Sequence, residues 1–385
     1  MRSRARYDDA TMVYRDRMPR GAAAPLALCL LVASSLHCGG QGSGSPPDEG
    51  SAALPAQAEM PAVRTRSVET RPLRIDQIYR SMQGPYDQVF FDVEGLDWVT
   101  ALRTDVVDAE SRDKLGDEFF CHSQLQQLNA TRLMVTATGS EEIRFPAGFA
   151  MPFTQILSGL PAEERKLTLL GMVLNNHAPE MERDVRVRGV IEYMTEQDLV
   201  GRTPPKKLYK IGLAMSVRHL SEIETAQGLF QDVDANAQCV TMPGYDTHWM
   251  VPPGPQTTRM RWWDFVPIDA TVHYAVVHLH NYGVYFRLTD VTRGEMLWET
   301  RVINETDRQQ IQRIPVYSSE EGFPIYADHE YEIEAHYENT SDRDIDAMAS
   351  IYLYYHPSRD VNITYPEAPA VPGGSSHESH ESHGS

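Results

Sequence analysis

Cysteine is scarce in this chain of 385 residues, with four in all. Cys29 sits inside an apolar leader run and Cys38 at its end, so only Cys121 and Cys239 belong to the body. That excludes a disulfide-framework scaffold and the zinc modules built on closely spaced cysteine pairs. Positive charge is short as well: 35 Lys and Arg stand against 54 Asp and Glu, a formal net charge of −19. Such a balance excludes nucleic acid and anionic lipid as partners and tolerates cations, metal ions included. No apolar run reaches the roughly 18 residues of a membrane span, and sustained helical periodicity is weak. A Ser-His-Asp order, a phosphate loop and a nucleotide fingerprint are all missing. The tail segment His377-Glu378-Ser379-His380 lacks the four-residue separation that stacks two zinc-binding imidazoles on one helical face.

What is present starts with a leader. Arg17 and Arg20 precede the apolar run Ala22 to Leu36, which ends at Leu36-His37-Cys38-Gly39-Gly40. This is similar to a bacterial lipoprotein signal over residues 1–38, in which Cys38 carries the lipid; His37 departs from the small residue usual before that cysteine. Residues 39–71, rich in Gly, Ser, Pro and Ala, read as a flexible tether. The expected location is the bacterial cell envelope, held to the membrane by the lipid anchor only, with secretion as the alternative.

Most of the body reads as strands. Runs such as TRLMVTATG, VRVRGVIEYM and MASIYLYYH carry β-branched and aromatic residues in period-two alternation between turn-rich pieces. The expected fold is all-β, two tandem jelly-roll β-sandwich domains, the first over 72–203 and the second over 204–362, divided near GRTPPKK. Short helices are expected at Pro72 to Met82 and Glu222 to Asp232, with a helical turn at LPAEERK. Residues 363–385 form a His- and Glu-rich tail whose His377, His380 and His383 offer loose metal binding. In an exported setting Cys121 and Cys239 either form one disulfide or stay as two buried thiols.

His278 and His280 in YAVVHLHNYGVYF are the chemically sharpest pair. Two residues apart on a strand, they point to one face with Cα atoms roughly 6.5–7 Å apart, close enough for both rings to meet one ion. Met348 in DIDAMASIYLYYH adds a thioether, a soft donor that suits copper, Cu(I) above all. A cupin centre is excluded, because NYGVYF after His280 carries no carboxylate. His273, at odd spacing from His278, is expected to pack on the opposite side, and His248 in YDTHWMVPPG to lie at the surface. A hairpin through NTSDRD is expected to bring His336 near the metal as a supplementary ligand.

These two segments resemble the second domain of the ascorbate-dependent type II copper monooxygenases, the peptidylglycine alpha-hydroxylating and dopamine beta-monooxygenases. The likeness covers about residues 240 to 357 and rests on His278, His280 and Met348, with Asp346 two before the methionine and Tyr354-Tyr355 after it. It implies a copper at those three residues that activates oxygen to hydroxylate a small organic or peptide substrate, with ascorbate or another electron donor. It also implies a second, electron-storing copper in the first domain, held by a His pair and a strand His. Here the chain departs: Cys121-His122 stands where the His pair belongs and Val173 where the strand His belongs. That site is expected to be remodelled around His122 and His177, or missing. The alternative function is a non-catalytic copper-binding lipoprotein for capture or sensing.

Overall fold

Alternation of buried and exposed side chains governs the strands, as in Arg183–Met194, where every second residue from Val185 to Ile191 is buried. The computed structural model describes residues 63–79, 84–127, 132–175, 181–215, 217–218, 245–246, 248–262, 266–306, 310–361 and 363. The leader, Cys38, His177, Cys239, the stretch expected as a helix at 222–232 and the tail lie outside them. All the described residues belong to one compact unit, Pro61–Ser385.

The first half contributes β1 (Arg64–Glu69), β2 (Leu73–Ile75), β3 (Tyr86–Asp92), β4 (Trp98–Asp108), β5 (Phe120–Gln127), β6 (Arg132–Ala137), β7 (Glu142–Arg144), β8 (Phe149–Pro152), β9 (Lys166–Val173), β10 (Arg183–Met194) and β11 (Lys206–Lys207). One sheet runs β1-β10-β4-β8-β11, with β2 also on β10 and β7 on β4; the other runs β3-β9-β5-β6. They approach closely where β9 crosses β10: a Cβ on Gly171 would lie 2.4 Å from the Cβ of Val187, so only glycine fits there.

The second half contributes β12 (Tyr209–Ala214), β13 (Val217–Arg218), β14 (Tyr245–Asp246), β15 (His248–Val251), β16 (Gly254–Trp262), β17 (Ala270–Leu279), β18 (Gly283–Asp290), β19 (Glu295–Arg301), β20 (Ile303–Asn304), β21 (Ile311–Arg313), β22 (Tyr317–Ile325), β23 (Tyr331–Asn339) and β24 (Ile345–Pro357). Its sheets run β12-β24-β17-β22, with β15 also on β24, and β16-β23-β18-β19; β13 pairs β14 and β20 pairs β21. In each half the first strand lies beside a late one, β1 beside β10 and β12 beside β24, and the chain crosses between sheets along the same path. That double wrap is a jelly roll, so the fold is all-β with two such sandwiches in tandem.

Two local expectations are corrected. Leu73–Ile75 is not helical: Leu73 and Ile75 are buried around an exposed Arg74, a period of two, and pair with β10. The tether expected over residues 39–71 does not extend through Arg64–Glu69, because RTRSVE pairs along β10 over its whole length. Its polar alternation is that of an edge strand with one face in water. The turn expected at LPAEERK is present as Ala162–Glu164.

Candidate metal centre between the sandwiches

β24 is long enough to serve several neighbours. On one side it pairs with β17, putting His278 opposite Ser350 and Leu279 opposite Ala349; just past the end of β17, the Tyr337 hydroxyl bridges the His280 N–H and the Met348 carbonyl. On the other side β15 sets His248 opposite Met348 and Met250 opposite Asp346. Residues opposite one another in a sheet share a face. His248, His278, His280, Asp346 and Met348 therefore project from one face of one sheet. The intervening residues project from the other, where Trp249 meets the ring of Tyr337 in the core of the second sandwich.

The face that carries the histidines is turned to the first sandwich. Phe145 packs on Tyr354 at a centroid distance of 5.0 Å and on Tyr274 at 5.7 Å, and the Tyr274 hydroxyl donates to the Glu142 carbonyl at 3.1 Å. From β5, His122 sets its ring 6.1 Å from that of His278. The imidazoles follow in series: His278 to His280 at 5.2 Å, and His280 to His248 at 5.2 Å. All four histidines and Met348 are buried, whereas the Asp346 side chain keeps 32% of its surface and marks the way to solvent.

Asp346 ties the group together. Its carboxylate oxygens lie 3.1 Å from Nδ1 of His248 and 3.1 Å from Nδ1 of His280. Among the described residues these three form the one group of at least three His, Cys, Asp or Glu donors that meet, all within 4.8 Å of one another. The separations are those of charge-assisted hydrogen bonds, and equally those of donors sharing an ion at bonds of about 2.0–2.2 Å. Backbone geometry braces the set: the Tyr337 hydroxyl donates to the Met348 carbonyl at 2.5 Å and accepts from the His280 N–H at 3.1 Å.

Electrostatics favours a cation here. Burial would push the Asp346 carboxyl up, but the charge of His280 and the hydrogen bonds from His248 and His280 outweigh it and hold the group well below the usual carboxylate range. Burial, then the neighbouring His280, His122, His248 and Arg132, drives His278 far below the ordinary imidazole value. Burial with Arg132, His280 and His248 takes His122 down to about 3. Both rings are thus neutral and keep a lone pair. Nδ1 of His278 is buried with no hydrogen-bond partner, a deficit of about 1–3 kcal/mol that a ligand bond would remove. The donor set therefore fits a transition-metal ion.

A pH dependence follows for the metal-free protein. In the unfolded chain these histidines take up a proton below about 6.5, while in the folded protein His122 resists until about 3, so the unfolded state binds more protons in between. The contribution of these histidines to stability is full above about pH 6.5 and is expected to fall with acidification through that window, by up to about 1.4 kcal/mol per pH unit for each. Denaturant midpoints across that range measure it; a level profile would contradict the buried neutral rings.

Of the residues expected at the centre, His278, His280 and Met348 share the face and His122 lies against it. His336 does not join them. The turn through residues 340–344 exists, but it is no hairpin: it links β23 to β24, strands of different sheets. His336 projects from the outer face of β23, stacked on Tyr285 at 5.1 Å with its Nδ1 2.8 Å from Thr257 Oγ1. His248, expected at the surface, is buried at the centre instead. His273 packs against Phe149 at 4.1 Å. Cys121 is buried, with its Sγ 3.3 Å from His122 Nδ1.

No family model matches the chain, and no curated protein does. Among solved structures, the chain is similar to PBCV-1 VP54 as fitted into a reconstruction of the virophage Sputnik: 8% identity, 78% of this chain and 95% of that one, TM-score 0.34. PNGase F, a glycosylasparaginase from Flavobacterium meningosepticum, gives 10% identity over 78% of this chain and 98% of its own, TM-score 0.32. The major capsid protein P2 of bacteriophage PM2 gives 9% over 76% and 97%, TM-score 0.28. Likeness at this level carries no inference; the strand order above carries the fold.

Proposed function

We propose that this protein binds one copper ion between its two sandwiches, through His248, His280 and Asp346, with His278 and Met348 completing the donor set. The observation that supports it most is the meeting of those three donor groups within 4.8 Å beside the unpartnered Nδ1 of His278. Imidazole and carboxylate suit several divalent ions; the thioether of Met348 on the same face tips the choice to copper, because soft sulfur favours Cu(I). The role is capture or sensing, with the lipid at Cys38 as the expected anchor in the cell envelope.

A second reading, the copper monooxygenase that the His-x-His and Met segments resemble, is favoured by the partial exposure of Asp346, which leaves one side of the centre open to oxygen and a small organic substrate. In that reading copper supplies one-electron chemistry with oxygen, while Asp346 and Tyr337 hold the histidines in place. Hydroxylation consumes two reducing electrons and a single copper stores only one at a time, so an outside donor such as ascorbate must supply both, one of them in the course of turnover. The position of His122 against His278, rather than in a separate ligand set among the described residues, weighs toward capture.

Copper loading of the full chain with His377, His380 and His383 replaced by Ala is the test. One tightly held ion per chain, with sulfur scattering in the X-ray absorption of the Cu(I) form, is expected. Ascorbate-driven oxygen uptake no faster than that of free copper would mark capture, and faster uptake the monooxygenase. Failure to retain copper would refute both.

A further inference from the structure

We infer that His122, a residue of the first sandwich, is a ligand of this same ion, so that the centre is held jointly by both sandwiches and its occupation clamps them together. The inference rests on the copper reading above and adds to it which part of the chain completes the site.

Two imidazoles bound to one ion through bonds of about 2.0–2.1 Å have ring centroids roughly 4.5 Å apart when the bonds stand at a right angle and roughly 6.5 Å apart when they are opposed. The steps of 5.2 Å from His278 to His280 and from His280 to His248, and of 6.1 Å from His122 to His278, all fall in that range. His122 is not otherwise well provided for. It is buried at 7% exposure, and the polar contact of its ring is with the thiol of Cys121, a weak partner, at 3.3 Å. A buried imidazole normally has a good hydrogen-bond partner or a metal ion.

The neighbourhood fixes His122 in this position. Just past β6, the Ile314 N–H donates to the Gly139 carbonyl at 2.7 Å, and a Cβ at Gly139 would meet Ile311 at 2.6 Å. Phe145 and Glu142 touch Tyr354 and Tyr274 further along. The sandwiches are therefore already in register around the cluster, and a ligand from β5 needs no domain movement to reach the ion.

Hydrogen exchange on the chain with the three tail histidines replaced by Ala, with and without copper, tests the clamp. Copper is expected to slow exchange in 120–127 as well as in 248–251, 270–279 and 345–357. Slowing confined to the last three segments would overturn the inference while leaving the copper reading intact. The variant His122→Asn in the same background gives a second measurement: pulsed EPR of the Cu(II) form is expected to lose one imidazole, with affinity down roughly tenfold or more. An unchanged imidazole count and affinity would overturn the inference. Should the variant not fold, the exchange comparison on unsubstituted His122 decides. A chain that retains no copper at all would remove this inference together with the reading it rests on.

Discussion

Replacing His280 by alanine is expected to abolish copper retention. His280 is common to the set read from the sequence, with His278 and Met348, and to the set that meets in the structure, with His248 and Asp346. Even outer partners of metal ligands cost roughly 10–100-fold in affinity when removed, so loss of this ligand is expected to exceed about 100-fold. Competition against a chromophoric chelator measures it. His336→Ala is the matched control: its ring lies on the outer face of the other sheet, against Tyr285 and Thr257, and its removal is expected to leave affinity unchanged. Equal affinities for the His280 variant and the parent chain would sink the centre.

The second large effect concerns Tyr337→Phe. The hydroxyl of this fully buried ring accepts from the His280 N–H and donates to the Met348 carbonyl, joining the ends of the two strands that bear the donors. Phenylalanine keeps the ring in its place beside Trp249 but strands both backbone groups away from water. Each such group costs about 1–3 kcal/mol, so a loss of roughly 2–6 kcal/mol in unfolding free energy is expected, read as a lower denaturant midpoint at unchanged m-value. Copper affinity is expected to fall as well, because the same bonds set the spacing of His280 and Met348. A variant as stable as the parent would mean that the two backbone groups find other partners.

The sandwich plan was legible because long strands such as β10 and β24 announce themselves by alternation and bulk, and the two-residue spacing of His278 and His280 needs no tertiary knowledge to be placed on one face. His248 could not be read that way. Its strand is four residues long, and its meaning comes from contact with Asp346, 98 positions away, so the only signal was the spacing of His248 and Met250 mirrored against Met348 and Asp346. Register decides that, and register is a tertiary property. The error over His336 has the complementary cause. The turn was read correctly, but a turn in a jelly roll can carry the chain from one sheet to the other, and here it separates residues that a hairpin would join. β1 was missed because an edge strand with a solvated face needs few apolar residues.

Because β24 gives alternate side chains to two different environments, its reading frame matters as much as its composition. Inserting or deleting a single residue between Met348 and Ser350 would exchange the faces downstream, sending Ile351 and Leu353 to the side that carries the histidines and Ser350 into the apolar interior. Substitutions on this strand can be absorbed one at a time, whereas a change of length by one would unmake the interior and the centre in a single step.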